Sequence, residues 1–104
     1  MPIYLLAYHG GHVDESLEGR SRVMAEFGKW FTELGPRLKD PGNPIARAVT
    51  VDGQSATEGG GANPVSGYSV IEADNMDMAI QLVKRGPIVR GGRAVEIAET
   101  TTAL

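Results

Sequence analysis

His9 and His12 are the only histidines in the chain, and there is no cysteine. Imidazole is therefore the one side chain here suited to moving protons near neutral pH. His9 stands where the apolar run Ile3 to Tyr8 gives way to Gly10-Gly11. A strand exit of this kind opens onto loops, where pockets form, so His9 is the candidate general acid–base group. Its competing role is a hydrogen bond that caps the strand end. His9-x-x-His12 followed by Asp14 and Glu15 supplies metal-ligand types, but on a glycine-containing loop rather than at helical i, i+4 spacing. No metal site is assigned, and no cofactor is expected.

The candidate ligand-binding residues are Trp30, Asn63 and Tyr68. Trp30 and Phe31 are neighbours, and adjacent helix positions point about 100° apart, so both cannot face one ligand. Core packing competes for Trp30. Asn63 lies in a loop rich in Gly, Asn, Pro and Ser, where its amide either bonds a ligand or shapes a turn. Tyr68 opens a strand that belongs at the sheet centre, as a pocket or interface residue. Gly59-Gly60-Gly61 lacks the Lys-Ser/Thr of a phosphate loop and leads to a strand, so it is read as a loop. Asp74 is read as a helix cap, not as a catalytic carboxylate.

The 104 residues suffice for one domain, 1–99, with a tail at 100–104. Hydrophobic residues make up 41% and charged residues 22%, which excludes a disordered chain. The net charge of −3, with Arg20, Arg22, Arg37, Lys39 and Arg47 scattered among acids, argues against a nucleic-acid partner. The absence of cysteine excludes disulfides, thiolate catalysis and Cys-ligated metals. No signal peptide is visible, and Ile3 to Tyr8 is far too short to span a bilayer. The expected location is cytoplasmic, without a membrane partner.

The positioning elements follow from periodicity. Ile3 to Tyr8 (IYLLAY) is apolar on both sides, as in a central strand. Asp14, Glu15 and Ser16 lead into a helix over Leu17 to Leu34. On it Val23, Met24, Phe27, Trp30, Phe31 and Leu34 make an apolar face, and Gly35-Pro36 ends it. Lys39 to Pro44 reads as a turn and Arg47 to Asp52 as the second strand. Ser55 to Ser66 reads as a loop and Tyr68 to Ala73 as the third strand. Asp74 caps a second helix carrying Met76, Ala79, Ile80 and Val83 on one face. Lys84 and Arg85 close that helix, Gly86 gives a left-handed exit, and Pro87 stops it. Ala94 to Ala98 alternates as the last strand.

The order β-α-β-β-α-β predicts an α+β, ferredoxin-like domain: a four-stranded antiparallel sheet with two helices on one face. The other face is then bare, although IYLLAY is apolar on that side too. About 500 Å² of exposed apolar surface is already large for a monomer. Burying two such faces at ~25 cal/mol/Å² gives on the order of 25 kcal/mol gross. Association costs ~4–15 kcal/mol, so a homodimer through the open sheet face is expected.

The chain is similar to the YCII-related family, in its DGPF-like branch. The similarity rests on Tyr4-Leu5-Leu6-Ala7-Tyr8-His9-Gly10-Gly11, the helix end EFGKWFTELG, Gly42-Asn43-Pro44, GGGANPVSGYSVIEAD and GGRAVEIAE. It implies a ferredoxin-like domain pairing as a dimeric α/β barrel, with a pocket between sheet and helices or at the dimer seam. Enzyme-like members place a His near the start of the first helix, whereas Leu17 to Leu34 here holds none. Glu58-Gly59-Gly60-Gly61 stands near where the Asp-Gly-Pro-Phe run would lie. Two functions are expected. One is a small-molecule-binding or enzyme-like barrel with its pocket near the end of the first strand. The alternative is a non-catalytic regulatory or protein-interaction module, as the family's association with sigma-factor regulation implies.

Overall fold

The computed structural model describes residues 1–10 and 17–102, with Leu17 described by its backbone alone. The polar lead Asp14 to Ser16, and His12, lie outside the described residues. The first strand, β1, runs Ile3–His9 and the first helix, α1, Leu17–Leu34, followed by a 3₁₀ turn at Gly35–Arg37. Three short strands come next: β2 at Leu38–Asp40, β3 at Val49–Val51 and β4 at Ala56–Glu58. The long strand β5 is Val65–Glu72, α2 is Met76–Lys84, α3 is Pro87–Arg90, and β6 is Ala94–Glu99.

Among the described residues, four strands form one antiparallel sheet in the order β2-β5-β1-β6. The molecule is α+β and consistent with a ferredoxin-like fold. Tyr4, Leu6 and Tyr8 on one side of β1 are buried, as is Ile71 on β5. They form a single core with Trp30 and Leu34 of α1, Ala79 and Val83 of α2, and Ile88 of α3. Phe27 joins the layers: its ring centroid lies 5.6 Å from Tyr8, 6.2 Å from Trp30 and 5.5 Å from Phe31. Trp30 Nε1 donates to Leu82 O at 3.0 Å and ties α1 to the last turn of α2. Met24, placed on the apolar face by periodicity, is 74% exposed instead.

The second sheet strand is not where the sequence put it. Leu38–Asp40, which overlaps the expected turn Lys39 to Pro44, pairs with β5, and Leu38 packs on the core. The β-branched run at Val49–Val51 is a strand, but it pairs only with Ala56–Glu58, in a separate two-stranded hairpin. The segment read as a loop therefore contains a strand. Asp52 makes the hairpin turn, its Oδ1 accepting from Gln54 N at 2.8 Å and Ser55 N at 2.9 Å. These backbone bonds hold the Asp52 carboxyl below its ordinary value.

Two helix ends also differ. Asn75, not Asp74, caps α2, its Oδ1 accepting from Met78 N at 2.8 Å. Gly86 is extended (φ −76°) and opens α3, with Pro87 at its first position. A Cβ at Gly86 would stand 3.0 Å from Trp30 Cε2, so the indole, not a left-handed turn, accounts for this glycine.

At Gly42 both demands coincide. Its φ is +72°, and a Cβ there would lie 1.7 Å from Tyr68 O. A left-handed residue with a Cβ costs roughly 1–2 kcal/mol before any clash. Gly42→Ala is therefore expected to lower unfolding stability by at least ~2 kcal/mol in a urea titration. Gly28→Ala, on the exposed side of α1 with open space around it, should raise stability by up to ~1 kcal/mol. Equal stabilities for the two variants would contradict this packing.

Candidate functional site

The uncovered side of the sheet is organised by register into rows. Val70, Leu5 and Ala98 stand side by side across β5, β1 and β6. Tyr68, Ala7 and Glu96 form the next row, and Val65, His9 and Ala94 the next. Leu5 is 39% exposed, although it sits at the centre of the central strand. Tyr68, Val70 and Ala7 are half-buried and Ala98 is exposed. IYLLAY is thus apolar on both sides, and among the described residues the helices cover one of them.

His9 stands at the end of this surface. The pairing of β1 with β5 shifts between Tyr8 and His9: Tyr8 faces Gly67, His9 faces Val65, and Ser66 is the extra residue. Such irregularities re-aim the side chain beside them. Ser66 Oγ donates to Tyr8 O at 3.2 Å and helps fix the shift. His9 Nδ1 lies 2.9 Å from the backbone O of Asn63, and Nε2 lies 3.2 Å from Glu96 Oε1. Gly10 N donates to Pro64 O at 3.2 Å, which closes the loop against the strand exit.

Both ring nitrogens of His9 face oxygen acceptors. A protonated ring donates to both, whereas a neutral ring donates to only one. Neither nitrogen is free for a substrate in this arrangement, but the two partners are unlike. Asn63 O belongs to the backbone and is fixed, while the Glu96 side chain is 70% exposed and can swing away. If Glu96 moves, Nε2 is released toward the open face with Nδ1 still anchored, which is the geometry general acid–base work needs.

His9, Asn63 and Tyr68 thus lie on or beside one surface, although Asn63 takes part through its carbonyl rather than its amide. Trp30 lies across the sheet in the helical core, 3% exposed. Its indole borders a groove of about 370 Å³ outside α1 and α3, with Lys29, Glu33, Arg85 and Arg90 around it. That groove is of mixed charge and separate from His9. Among the described residues no group of three or more His, Asp or Glu side chains could hold a metal ion. Among them, too, no helix is long and apolar enough to cross a membrane. The metal-type spacing through His12 lies outside the described residues.

Glu96 escaped sequence reasoning because it is 87 residues from His9. Its one signal is position: it is the charged residue of the alternating run AVEIA, on the side away from Val95 and Ile97. Ser69 escaped too. It is fully buried in β5, where its Oγ accepts from Tyr8 Oη at 2.6 Å and donates to Pro41 O at 2.7 Å. No protein-family model matches this chain, and no curated protein does either.

Burial pushes the Tyr8 hydroxyl up from 10.0 to about 12, against the opposing pull of its bond to Ser69. Between these values the folded chain keeps a proton that the unfolded chain has lost. Stability is therefore expected to fall as pH rises from 10 to about 12, with no such loss below 10. Tyr4, raised by burial and then by the Glu99 carboxylate, acts in the same direction. Tyr8→Phe should reduce the alkaline loss while costing ~1 kcal/mol at neutral pH for the missing hydrogen bond. Denaturant melts from pH 8 to 12 check the sign, and an unchanged alkaline slope in the variant would refute the assignment to Tyr8.

Proposed function

We propose that this chain is a small-molecule-binding, enzyme-like module of YCII-related type. In this reading two copies pack their open sheet faces together as a dimeric α/β barrel, and the ligand sits near the end of β1. The observation that supports this is the uncovered surface itself. Leu5, Ala7, Tyr68, Val70 and Ala98 form a continuous apolar surface that ends at the His9–Glu96 pair. Water on that surface is costly, and a second copy is the partner always present at equal concentration. Closing the seam would leave His9, Glu96 and Tyr68 around a partly desolvated space where polar groups select a ligand.

The engagement of both His9 nitrogens favours a second reading, a non-catalytic regulatory or protein-interaction module. In that case the His9–Glu96 contact holds β1 to β6 at the sheet end and moves no protons. The two readings differ in what happens when the imidazole is removed.

Sedimentation equilibrium at micromolar concentration is expected to show a dimer. Leu5→Glu should weaken it more than a hundredfold, since each of two copies loses roughly 1.5 kcal/mol or more of apolar burial. A wild-type monomer at these concentrations would remove the barrel. For the ligand, native mass spectrometry of the purified protein should show a bound small molecule that His9→Ala releases. Retention of every bound species and activity in His9→Ala, together with recovery of a protein partner, would favour the regulatory reading.

A further inference from the structure

Three helices bring cations to the groove beside Trp30. Its volume of about 370 Å³ is that of a small-molecule pocket. Lys29 lines it from the middle of α1, Arg85 from the end of α2 and Arg90 from the end of α3. Lys84 extends the charge beyond Arg85. Glu26 and Glu33 line the groove one turn to either side of Lys29. Cations thus outnumber carboxylates there by two, in a chain whose net charge is −3.

These charges do not satisfy one another. Lys29 has Glu26 and Glu33 at the spacings of helical ion pairs. Among the described residues, however, no ion pair includes Lys29, Arg85, Arg90, Glu26 or Glu33. A cation at a helix C-terminus favours the helix dipole, which accounts for Arg85 and Arg90 one at a time. It does not account for Lys29, which stands inside α1, or for the meeting of all three at one recess. Like charges brought together repel, and an anion between them removes that cost.

The floor of the groove is apolar and fixed. Trp30 is 3% exposed, and its Nε1 is spent on Leu82 O, so ring carbons are what it offers. Pro87 stands beside it. Gly86 packs on the indole, where a Cβ would lie 3.0 to 3.2 Å from its ring atoms. The backbone that carries the arginines is tied down as well. Arg85 N donates to Leu82 O at 3.2 Å, Arg90 N to Gly86 O at 3.2 Å and Gly91 N to Pro87 O at 2.9 Å. A recess held in this way lowers the ordering cost of binding.

We propose that this groove binds a small organic oxyanion, a carboxylate or phosphate carried on a planar apolar body. Arg85 and Arg90 take the head group, since guanidinium matches the geometry of both kinds of oxyanion. Lys29 adds a third positive charge, and the body covers Trp30 and Pro87. Glu26 and Glu33 limit the negative charge the groove accepts, which favours a ligand with one charged group over a polyanion. The site is separate from His9 and does not depend on a dimer.

Trp30 is the single tryptophan of the chain, so its fluorescence reports on this groove. Benzoate or phenyl phosphate, titrated into the full chain, should change that emission saturably, and the tighter of the two identifies the head group. Benzyl alcohol, a similar ring without charge, should bind at least tenfold more weakly. Arg85→Gln/Arg90→Gln should weaken anion binding at least tenfold. Both side chains are exposed, so circular dichroism should be unchanged. Lys29→Gln should weaken binding in the same direction, and Glu33→Gln should tighten it. His9→Ala should leave the titration as in wild type, which separates this groove from the site at the end of β1. The proposal is overturned if neither anion gives a saturable change, if benzyl alcohol binds as tightly as the anions, or if the double arginine variant keeps wild-type affinity. Inorganic phosphate binding as tightly as phenyl phosphate would overturn the organic body.

Discussion

Helices attached to one side of a sheet leave its other side to be dealt with by something else. Here that constraint is sharp, because the central strand is apolar on both sides. Tyr4, Leu6 and Tyr8 are buried under α1, α2 and α3, while Leu5, in the middle of the same strand, is 39% exposed. An antiparallel sheet that faced water would carry polar residues on that side. Val70, Ala7 and Ala98 are not polar; the charged Glu72 stands in the end row beside Ile3, and Glu96 lies on the edge strand beside Ala7. The candidate site lies at the edge of this surface because the first chemistry-bearing residue follows where the apolar run stops.

The long elements were legible because their patterns repeat. α1 shows several turns of apolar spacing, β1 runs up to Gly10, and the alternating part of β5 follows Gly67. The short ones were not. Leu38–Asp40 has three residues between two prolines, too few for alternation to show. Arg47 to Asp52 has the β-branched composition of a strand and contains one, but composition says only that a segment will extend. It does not say which neighbour will bond to it. Gly86 misled for a related reason. A glycine after a helix suggests a left-handed turn, yet this one makes room for an indole 56 positions earlier in the chain. The site divides in the same way. His9 was visible from its own surroundings, whereas Glu96 needed the sheet order before it could be placed beside His9.

His9 shows how geometry limits what residue type allows. An imidazole at a strand exit suggests proton transfer, but a ring with both nitrogens engaged transfers nothing until one is released. Asn63 O cannot leave without opening the loop that Gly10 and Pro64 close. Glu96 can leave by rotating its own side chain, because it is mostly exposed. The proposed proton transfer and the structural bridging thus draw on the same contact. The choice between them rests on whether a ligand or a second copy offers Glu96 a better partner.

The polar chain through the core explains why the β3–β4 hairpin stands outside the main sheet. Tyr8 donates to Ser69, and Ser69 donates to Pro41 O. Asp40 Oδ1 accepts from Gly42 N at 2.8 Å, and Tyr68 N donates to Asn43 O at 3.3 Å. These bonds hold residues 40–44 against β5, so that segment takes the sheet edge that the β-branched run would otherwise fill. A buried hydroxyl without a partner costs roughly 1–3 kcal/mol, so exchanging the two segments at that edge would strand Ser69 unless another acceptor replaced Pro41. The short polar turn is therefore favoured at the edge over the better strand former. Val49 to Val51 stands outside the main sheet and pairs with β4, with Val49 and Val51 exposed.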